Sequence, residues 1–165
     1  MRGVNLAQIP IAYVDIRFFV HATENPKKVV EAVRRLLPAN HIDEIIFERS
    51  NLKGHYGNPI TVFEIRIKKR EIVKAVVETL SSGLGELDKK ALLREIGSHV
   101  EKGSLYVRLD KQAALQGEFK LCSADPVRVR IRFKKKKLED IIKNCRELGL
   151  VCVLQCFTQV FAFPL

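Results

Sequence analysis

Apolar and polar residues alternate along several short segments of the chain, and a period of two residues is typical of a half-buried β-strand. In residues 12–21, Val14, Ile16, Phe18 and Val20 share one face, and the residues between them share the other. The same alternation predicts strands over residues 60–68, 104–109 and 127–133. Less regular apolar runs predict further strands over residues 43–49, 118–122 and 150–163.

Other segments carry apolar residues at every third or fourth position, which is the period of an amphipathic helix. The first predicted helix begins at Pro26, because Asn25 is suited to the N-cap and proline to the first helical position, and it ends at Pro38. A short helical turn is predicted from Asp110 to Gln116. Three longer helices are predicted over residues 70–81, 88–97 and 137–148.

Strands and helices follow one another in mixed order, without strict alternation of the two. This order predicts an α+β fold in which helices pack on one face of a mainly antiparallel or mixed sheet. The chain has 165 residues, a usual size for one domain, and it contains no linker-like or low-complexity stretch. We therefore predict a single domain over residues 1–165.

Positive charge is in excess: 29 Lys and Arg stand against 19 Asp and Glu, a net charge of +10 that favours a polyanion as partner. The predicted strand over residues 127–133 places Arg128, Arg130 and Arg132 on one side and four apolar residues on the other. Arginines two residues apart along a strand are about 6.6 Å apart, close to the separation of successive backbone phosphates. A guanidinium group can bind two phosphate oxygens at once, and Lys134 to Lys137 extend the basic run.

Three further arginines, Arg17, Arg66 and Arg108, lie off the apolar faces of their own predicted strands. If these strands share one sheet, its polar face carries six arginines and predicts binding to the phosphate backbone of RNA. The alternative is an ordinary solvated sheet face, on which arginine is common. Three aromatic residues would be available on the same face for stacking on bases: Tyr13, Phe19 and Tyr106.

Two predicted loops are rich in polar side chains. The loop from Lys53 to Pro59 contains two glycines and could present its side chains to a phosphate or a base. The loop that follows residues 104–109 begins with the capping residue Asp110. Ordinary turns are the alternative interpretation of both, but we predict that they lie near one another. The RNA contacts predicted in them are Lys53, His55, Tyr56, Asn58, Lys111 and Gln112.

The sequence offers little for catalysis. His21-Ala22-Thr23 is like one of the two His-x-Thr triplets of phosphoesterases that use two histidines, but no second triplet exists. A phosphoesterase that uses His21 and His55 is therefore the third alternative only. We predict no cofactor and no metal, since the spacing of Cys and His suits none. Four cysteines are predicted to be reduced thiols buried in the core: Cys122, Cys145, Cys152 and Cys156.

Three segments form a joint pattern: His21-Ala22-Thr23-Glu24, then residues 54–60 (Gly-His-Tyr-Gly-Asn-Pro-Ile), then residues 108–113 (Arg-Leu-Asp-Lys-Gln-Ala). Together they resemble an archaeal family of small proteins described as RNA-binding and as predicted exosome subunits, over about residues 12–134. The resemblance implies a fold like that of ribosomal protein L5 and an archaeal cytoplasm. It also implies RNA and subunits of the RNA-degrading exosome as partners.

These observations predict a non-catalytic RNA-binding protein that holds the phosphate backbone on a basic sheet face. The second alternative is a protein–protein adaptor, because Val151 to Leu165 form an apolar ending suited to a partner or to a second copy. Homo-oligomerisation is left open. The sequence contains no signal-peptide pattern and no run of eighteen apolar residues, so we predict a cytoplasmic protein without a membrane partner.

Overall fold

Six strands form one sheet in the computed structural model, which describes residues 9–153. Their order across the sheet is β2-β3-β1-β6-β5-β4, and every neighbouring pair runs antiparallel. The predicted α+β class with a mainly antiparallel sheet is confirmed. The strands are β1 (Ile11–His21), β2 (Glu48–Lys53), β3 (Pro59–Ile67), β4 (Val100–Glu101), β5 (Ser104–Leu109) and β6 (Val127–Phe133).

Helices connect these strands, and two of them begin with the caps that the sequence predicts. The Asn25 side chain accepts a hydrogen bond from the Lys27 amide, and the Asp110 side chain accepts from the amides of Gln112 and Ala113. Within residues 9–153, no helix is both long enough and apolar enough to span a membrane. The helices are α1 (Pro26–Arg35), a 3-10 helix (Ala39–Glu44), α2 (Arg70–Gly83), α3 (Glu86–Arg94), α4 (Ile96–His99), α5 (Lys111–Leu115) and α6 (Leu138–Glu147).

One face of the sheet is covered by helices and the other is open. On the covered face, Ile16 of β1 and Val129 of β6 pack against Val33 of α1 and Val76 of α2. Ile141 of α6 is buried in the same core. Because successive residues of a strand point to opposite sides, the polar residues between these apolar ones lie on the open face. The predicted packing of helices on one face is confirmed.

The strand predicted over residues 43–49 is wrong for most of its length. The chain first forms the 3-10 helix, and β2 begins only at Glu48. Two of the apolar residues that suggested a strand serve the core instead: Ile45 is buried, and the Phe47 ring meets the Phe18 ring edge-on at 6.5 Å. The strand β2 lies at the edge of the sheet with all of its residues exposed, so it lacks the apolar alternation by which a strand is predicted.

The strand predicted over residues 118–122 is also wrong. This segment makes only isolated bridges, one of them between Leu84 and Phe119. Phe119 lies against the end of α2, where a Cβ atom at Gly83 would come within 2.3 Å of the ring. The close approach therefore requires glycine. The second bridge, between Leu121 and Leu109, ties the segment to the end of β5 without extending it into a strand.

Two other predicted elements differ from the structure. The helix predicted over residues 88–97 is divided into α3 and α4, because Glu95 leaves helical geometry with a φ of −107°. The strand predicted over residues 150–163 is not formed at positions 150–153, and the rest of it lies outside the described residues. The same holds for most of the apolar ending on which the adaptor alternative depends.

Burial of the cysteines differs from the prediction at one position. Cys145 and Cys152 are buried, whereas Cys122 is only half-buried. Cys122 is the last residue of the segment at positions 118–122, which makes only isolated bridges. Burial raises the pKa of the Cys145 thiol to about 12. Cys156 lies outside the described residues.

Alkylation by iodoacetamide is expected to distinguish these thiols in the folded protein. Because the thiolate is the reactive form, buried Cys145 should be labelled more slowly than Cys122 at pH 8, by on the order of tenfold or more. Mass spectrometry of peptides after timed labelling measures both rates. In denaturant the two rates should converge, which serves as the control. Equal rates in the folded protein would contradict the burial of Cys145.

Candidate nucleic-acid interface

The open face brings together the arginines that the strand patterns place off the apolar faces. Arg128 of β6 lies directly opposite Arg17 of β1 on one side and Arg108 of β5 on the other. Each arginine of β6 reaches solvent, as predicted: Arg128 is exposed, and the other two are partly exposed. Three more arginines occupy neighbouring positions of the same face: Arg66, Arg130 and Arg132.

Carboxylates neutralise the half of the open face that β3 and β1 form. Arg66 donates two hydrogen bonds to Asp15, with Nε–Oδ1 and Nη2–Oδ2 distances of 2.7 and 2.9 Å. These hydrogen bonds raise the pKa of Arg66. The Nε atom of Arg17 lies 3.2 Å from Oε1 of Glu64. The two side chains form an ion pair, but the angle between them is unsuitable for a hydrogen bond. This half of the face is therefore close to neutral.

The other half of the open face, formed by β6 and β5, keeps most of its positive charge: Arg130 lies 3.9 Å from Asp15, which Arg66 already pairs. Among the described residues, neither Arg108 nor Arg128 forms an ion pair. The row Arg17–Arg128–Arg108 thus puts three like charges directly opposite one another on adjacent strands. Side chains in such a row are about 5 Å apart at Cβ, and like charges there are destabilising. A bound anion would relieve this repulsion.

Aromatic rings lie among the arginines, as the alternation predicts. The guanidinium carbon of Arg66 is 5.0 Å from the ring centre of Tyr13, and that of Arg17 is 5.3 Å from the ring centre of Phe19. The third ring, Tyr106, lies 5.7 and 5.9 Å from two arginines of β6. The three side chains are half-buried. Cation–π contacts therefore hold the rings in place, while part of each ring stays accessible to a base.

The basic surface continues past the end of β6. Arg132 donates a hydrogen bond to the carbonyl oxygen of Lys102, in the turn that joins β4 to β5. Gly103 of this turn has a φ of +84°, and a Cβ atom there would lie 3.2 Å from side-chain atoms of Arg132 and Lys136. Glycine thus lets the turn pack closely against the basic segment. The lysines at positions 134–137 are all exposed.

Two concavities on the open face differ in charge. The larger is a groove of about 450 Å³, lined by four arginines and by the carboxylates of Asp15, Glu48 and Glu64. The smaller, which we call the arginine pocket, has a volume of about 210 Å³ and no carboxylate in its lining. It lies where β1 and β5 end and β6 begins. Its residues are Arg17, Phe19, Arg108, Ser123, Pro126 and Arg128.

Lys111 is buried, and its ammonium group points into the protein. The Nζ atom donates to the Phe19 carbonyl oxygen at 2.8 Å, and it lies 3.2 Å from Glu24 and 2.6 Å from Oδ2 of Asp125. It thereby ties together the end of β1, the turn before α1 and the loop before β6. The prediction that Lys111 contacts RNA is corrected here, because only 7% of its side chain is exposed and its charge is already paired.

Asp125 lies at the centre of this cluster. Its φ of +45° is in the left-handed region, which costs about 1 kcal/mol or more for a residue with a side chain. Burial acts to raise the pKa of Asp125, but hydrogen bonds from Lys111 and His21 outweigh it and hold that pKa below its usual value. Ser123 and Pro126 flank this residue and line the arginine pocket. The contacts of Asp125 therefore fix one wall of the pocket.

The same cluster contains potential metal ligands. Among the described residues, side-chain atoms of His21, Glu24 and Asp125 lie within 4.8 Å of one another. The ammonium group of Lys111 is already 2.6 to 3.2 Å from two of these side chains. A cation of the protein thus already pairs with two of the three potential ligands.

The two polar loops lie at the same end of the sheet, but two strands separate them. The strand order places β1 and β6 between the β2–β3 hairpin and the end of β5, so the loops begin about 14 Å apart, at three strand spacings. Gln112 is exposed on α5. The four residues predicted in the hairpin loop are also exposed: Lys53, His55, Tyr56 and Asn58.

Sequence reasoning missed the loop before β6. Ser123 and Pro126 line the arginine pocket, and Asp125 supports them, yet this irregular segment carries no periodic pattern that could reveal a role. The sequence did single out Glu24, because this residue belongs to one of the segments that carry the family resemblance. No pattern indicated that it would pair with a lysine 87 residues away.

Comparison with protein families matches residues 13–133 to a family described as RNA binding. A protein of Pyrococcus abyssi, described as an RNA-binding protein, is 37% identical over 139 residues, which cover 81% of this chain and 90% of that protein. An uncharacterized protein of Methanocaldococcus jannaschii is 30% identical over 149 residues, which cover 82% of this chain and 97% of that protein.

Solved structures of archaeal proteins share the fold. A crystal structure of a protein from Archaeoglobus fulgidus superposes with a TM-score of 0.73 and 34% identity, covering 84% of this chain and 99% of that one. A protein from Methanothermobacter thermautotrophicus superposes with a TM-score of 0.69 and 27% identity, covering 84% and 97%. The family model spans well over half of the sequence, and the chain therefore belongs to the family described as RNA binding.

Proposed function

We propose that this protein binds RNA through the open face of its sheet, with arginines of β6 and β5 as the main contacts to phosphate. The observation that carries the proposal is the row Arg17–Arg128–Arg108, whose like charges lie directly opposite one another. Within residues 9–153, the one carboxylate in an ion pair with this row is that of Glu64. Such a row is costly in a folded protein unless its usual partner is an anion. Family membership supports RNA as that anion.

The mode of binding follows from the same geometry. Arg128, Arg130 and Arg132 follow one strand at a spacing of about 6.6 Å, so they can contact successive phosphates. Phosphate contacts fix position without reading sequence, so we propose limited sequence preference. Bases can stack on the accessible parts of the neighbouring aromatic rings. The exposed hairpin residues and Gln112 are secondary contacts in this proposal.

We propose further that the protein is not a catalyst. The two histidines of the phosphoesterase alternative have different partners: His21 Nε2 lies 3.2 Å from Asp125, and the His55 ring meets Tyr56 edge-on at 5.2 Å. This arrangement gives no support to a pair of histidines that act as base and acid.

Several finer expectations belong to the proposal and stay predictions. They are the association with exosome subunits, the likeness of the fold to that of ribosomal protein L5, the cytoplasmic location and the absence of a cofactor. Homo-oligomerisation and docking of the apolar ending on a partner protein also stay open. A pull-down with exosome subunits tests the first of these directly.

A binding titration at two salt concentrations tests the proposal. We expect single-stranded RNA of mixed sequence to bind with log K falling against log salt at a slope of about −3.5, as for about five neutralised phosphates. Fluorescence anisotropy with single-stranded RNA, duplex RNA and duplex DNA measures the slope and the strand preference. A chain that binds none of these nucleic acids, or binds them without salt dependence, would favour the adaptor alternative.

A further inference from the structure

The arginine pocket differs from the rest of the open face in three ways. It is lined by three guanidinium groups, from Arg17, Arg108 and Arg128, and by no carboxylate. Its volume of about 210 Å³ equals that of about seven water molecules at about 30 Å³ each, which is room for a phosphate and part of its sugar but not for a duplex. Its rim is fixed by the loop that Lys111 holds through Asp125 at 2.6 Å.

The neighbouring groove is a poor place for the same anion. It shares Arg17 and Arg128 with the pocket, but its lining includes three carboxylates, among them Asp15, which already pairs with Arg66 at 2.7 Å. A phosphate entering the groove would meet these negative charges. The gradient of charge across the open face thus directs the most negative group of a ligand into the arginine pocket.

We propose that the arginine pocket binds the terminal phosphate of an RNA strand, a phosphomonoester, in preference to an internal diester. This inference rests on the proposed function and deepens it. An internal diester carries one negative charge, whereas a phosphomonoester carries about −1.5 to −2 at pH 7 and offers three acceptor oxygens. Three guanidinium groups, which share one paired carboxylate among the described residues, therefore match a phosphomonoester better than an internal diester.

The rest of the strand has a path away from the pocket. Starting from Arg128 at the pocket, Arg130 and Arg132 follow along β6, and the exposed lysines at 134–137 lie beyond its end. The distance from Arg128 to Arg132 is about 13 Å along the strand, enough for about two internucleotide steps. A strand whose terminal phosphate occupies the pocket can therefore lay its next phosphates along β6 towards Arg132 and the lysines. The internal diesters carry one charge each, so the carboxylates beside Arg130 repel them less than they repel a terminal phosphate.

The inference is tested with three RNA oligonucleotides of one sequence, carrying a 5′-phosphate, a 3′-phosphate or hydroxyl groups at both ends. We expect one of the phosphorylated forms to bind about tenfold more tightly than the form with hydroxyl ends, because it gains charge-assisted hydrogen bonds that the latter lacks. The comparison between the two phosphorylated forms identifies the end. Equal affinity for all three RNAs would overturn the inference and leave RNA binding intact, whereas failure of all three to bind would overturn the proposed function.

Two matched variants test whether the arginine pocket is the source of the preference for a terminal phosphate. Arg108→Gln is expected to bring the affinity ratio between phosphorylated and hydroxyl-ended RNA close to one. Arg132→Gln, on the same face but outside the pocket, should weaken both RNAs equally and keep the ratio. Inorganic phosphate, compared with chloride at equal ionic strength, should also reduce the ratio for the unaltered protein. A ratio that survives Arg108→Gln or is unaffected by phosphate would overturn the inference.

Discussion

Replacing Arg128, Arg130 and Arg132 together with glutamine is expected to lower the affinity for single-stranded RNA by on the order of 100-fold, from about 1 kcal/mol for each lost contact to a phosphate. The slope of log K against log salt should flatten by about two units, since each neutralised phosphate contributes about 0.7. The loss should be similar for RNAs of different sequence, because phosphate contacts position without specifying. Anisotropy titrations at four salt concentrations measure both quantities.

A matched control removes the same charge from the helical side of the protein. Lys28, Lys90 and Lys143 are exposed on α1, α3 and α6, so changing them together to glutamine should leave the slope nearly unchanged. The lysine variant should keep its stability, because exposed substitutions usually change it by less than about 0.5 kcal/mol each. The arginine variant also loses the contacts of Arg130 with Ser104 and Asp15 and of Arg132 with the Lys102 carbonyl oxygen, so circular dichroism and thermal unfolding must show that it is folded before its slope is compared. If the arginine variant binds with the original slope, β6 is an ordinary solvated strand and the adaptor alternative becomes the better interpretation.

Lys111→Met is expected to destabilise the protein by about 2 to 3 kcal/mol, which corresponds to a fall in Tm of about 5 to 10 °C for a chain of this size. The change keeps the length of the side chain but leaves Glu24 and Asp125 facing one another without a cation, and the Phe19 carbonyl without its donor. The effect should be smaller than for a fully buried pair, because 39% of the Asp125 side chain is exposed. Thermal unfolding followed by circular dichroism measures it.

The loss of stability in this variant should depend on pH in one direction. The lowered pKa of Asp125 means that its carboxylate stabilises the folded state at neutral pH, and that this contribution is lost as the pH falls through that pKa. The difference in stability between the unaltered protein and the variant should therefore narrow in acid. A gap that widens towards low pH would contradict the ion pairing of Asp125 with Lys111.

Lys120→Met is the matched control for Lys111→Met. Lys120 lies close by in the chain, but 65% of its side chain is exposed and its pair with Glu118 is on the surface, so its loss should change stability by less than about 0.5 kcal/mol. The two roles considered for Lys111 predict different results. Unchanged stability together with a flatter salt slope would restore the predicted RNA contact and refute the structural role.

The open face could be predicted from the sequence because alternation fixes which side of a strand each residue occupies. Arg17, Arg66 and Arg108 were assigned to the polar faces of separate strands, and a shared sheet was the only further assumption. Pairing of β1 with β3 and β6 supplies that sheet. Alternation does not give the order of the strands in the sheet. It therefore could not predict the row of three arginines across neighbouring strands, nor the carboxylates that neutralise the half of the open face that β3 and β1 form.

The mispredicted features share a physical cause: each is held by contacts that no local sequence pattern encodes. β2 has all of its residues exposed, so hydrogen bonds to β3 rather than burial hold it in the sheet. Phe119 is apolar because it packs on Gly83 of α2, a contact over 36 residues that no local period encodes. Lys111 was assigned to RNA because it lies in a loop rich in polar side chains. Its burial depends on carboxylates that only the tertiary fold brings near.

The pairing of β1 with β6 joins the first strand of the sheet to the last, and this has a consequence during synthesis. A ribosome adds about 5 to 20 residues per second, so β1 waits roughly 5 to 20 s before its central partner has been made. Through that interval the nascent chain exposes the apolar side of β1 and one unpaired strand edge, which are the features that promote aggregation. Folding of the sheet is therefore largely deferred until β6 has been made, and shielding of the emerging chain matters most while the helices between these two strands are being translated.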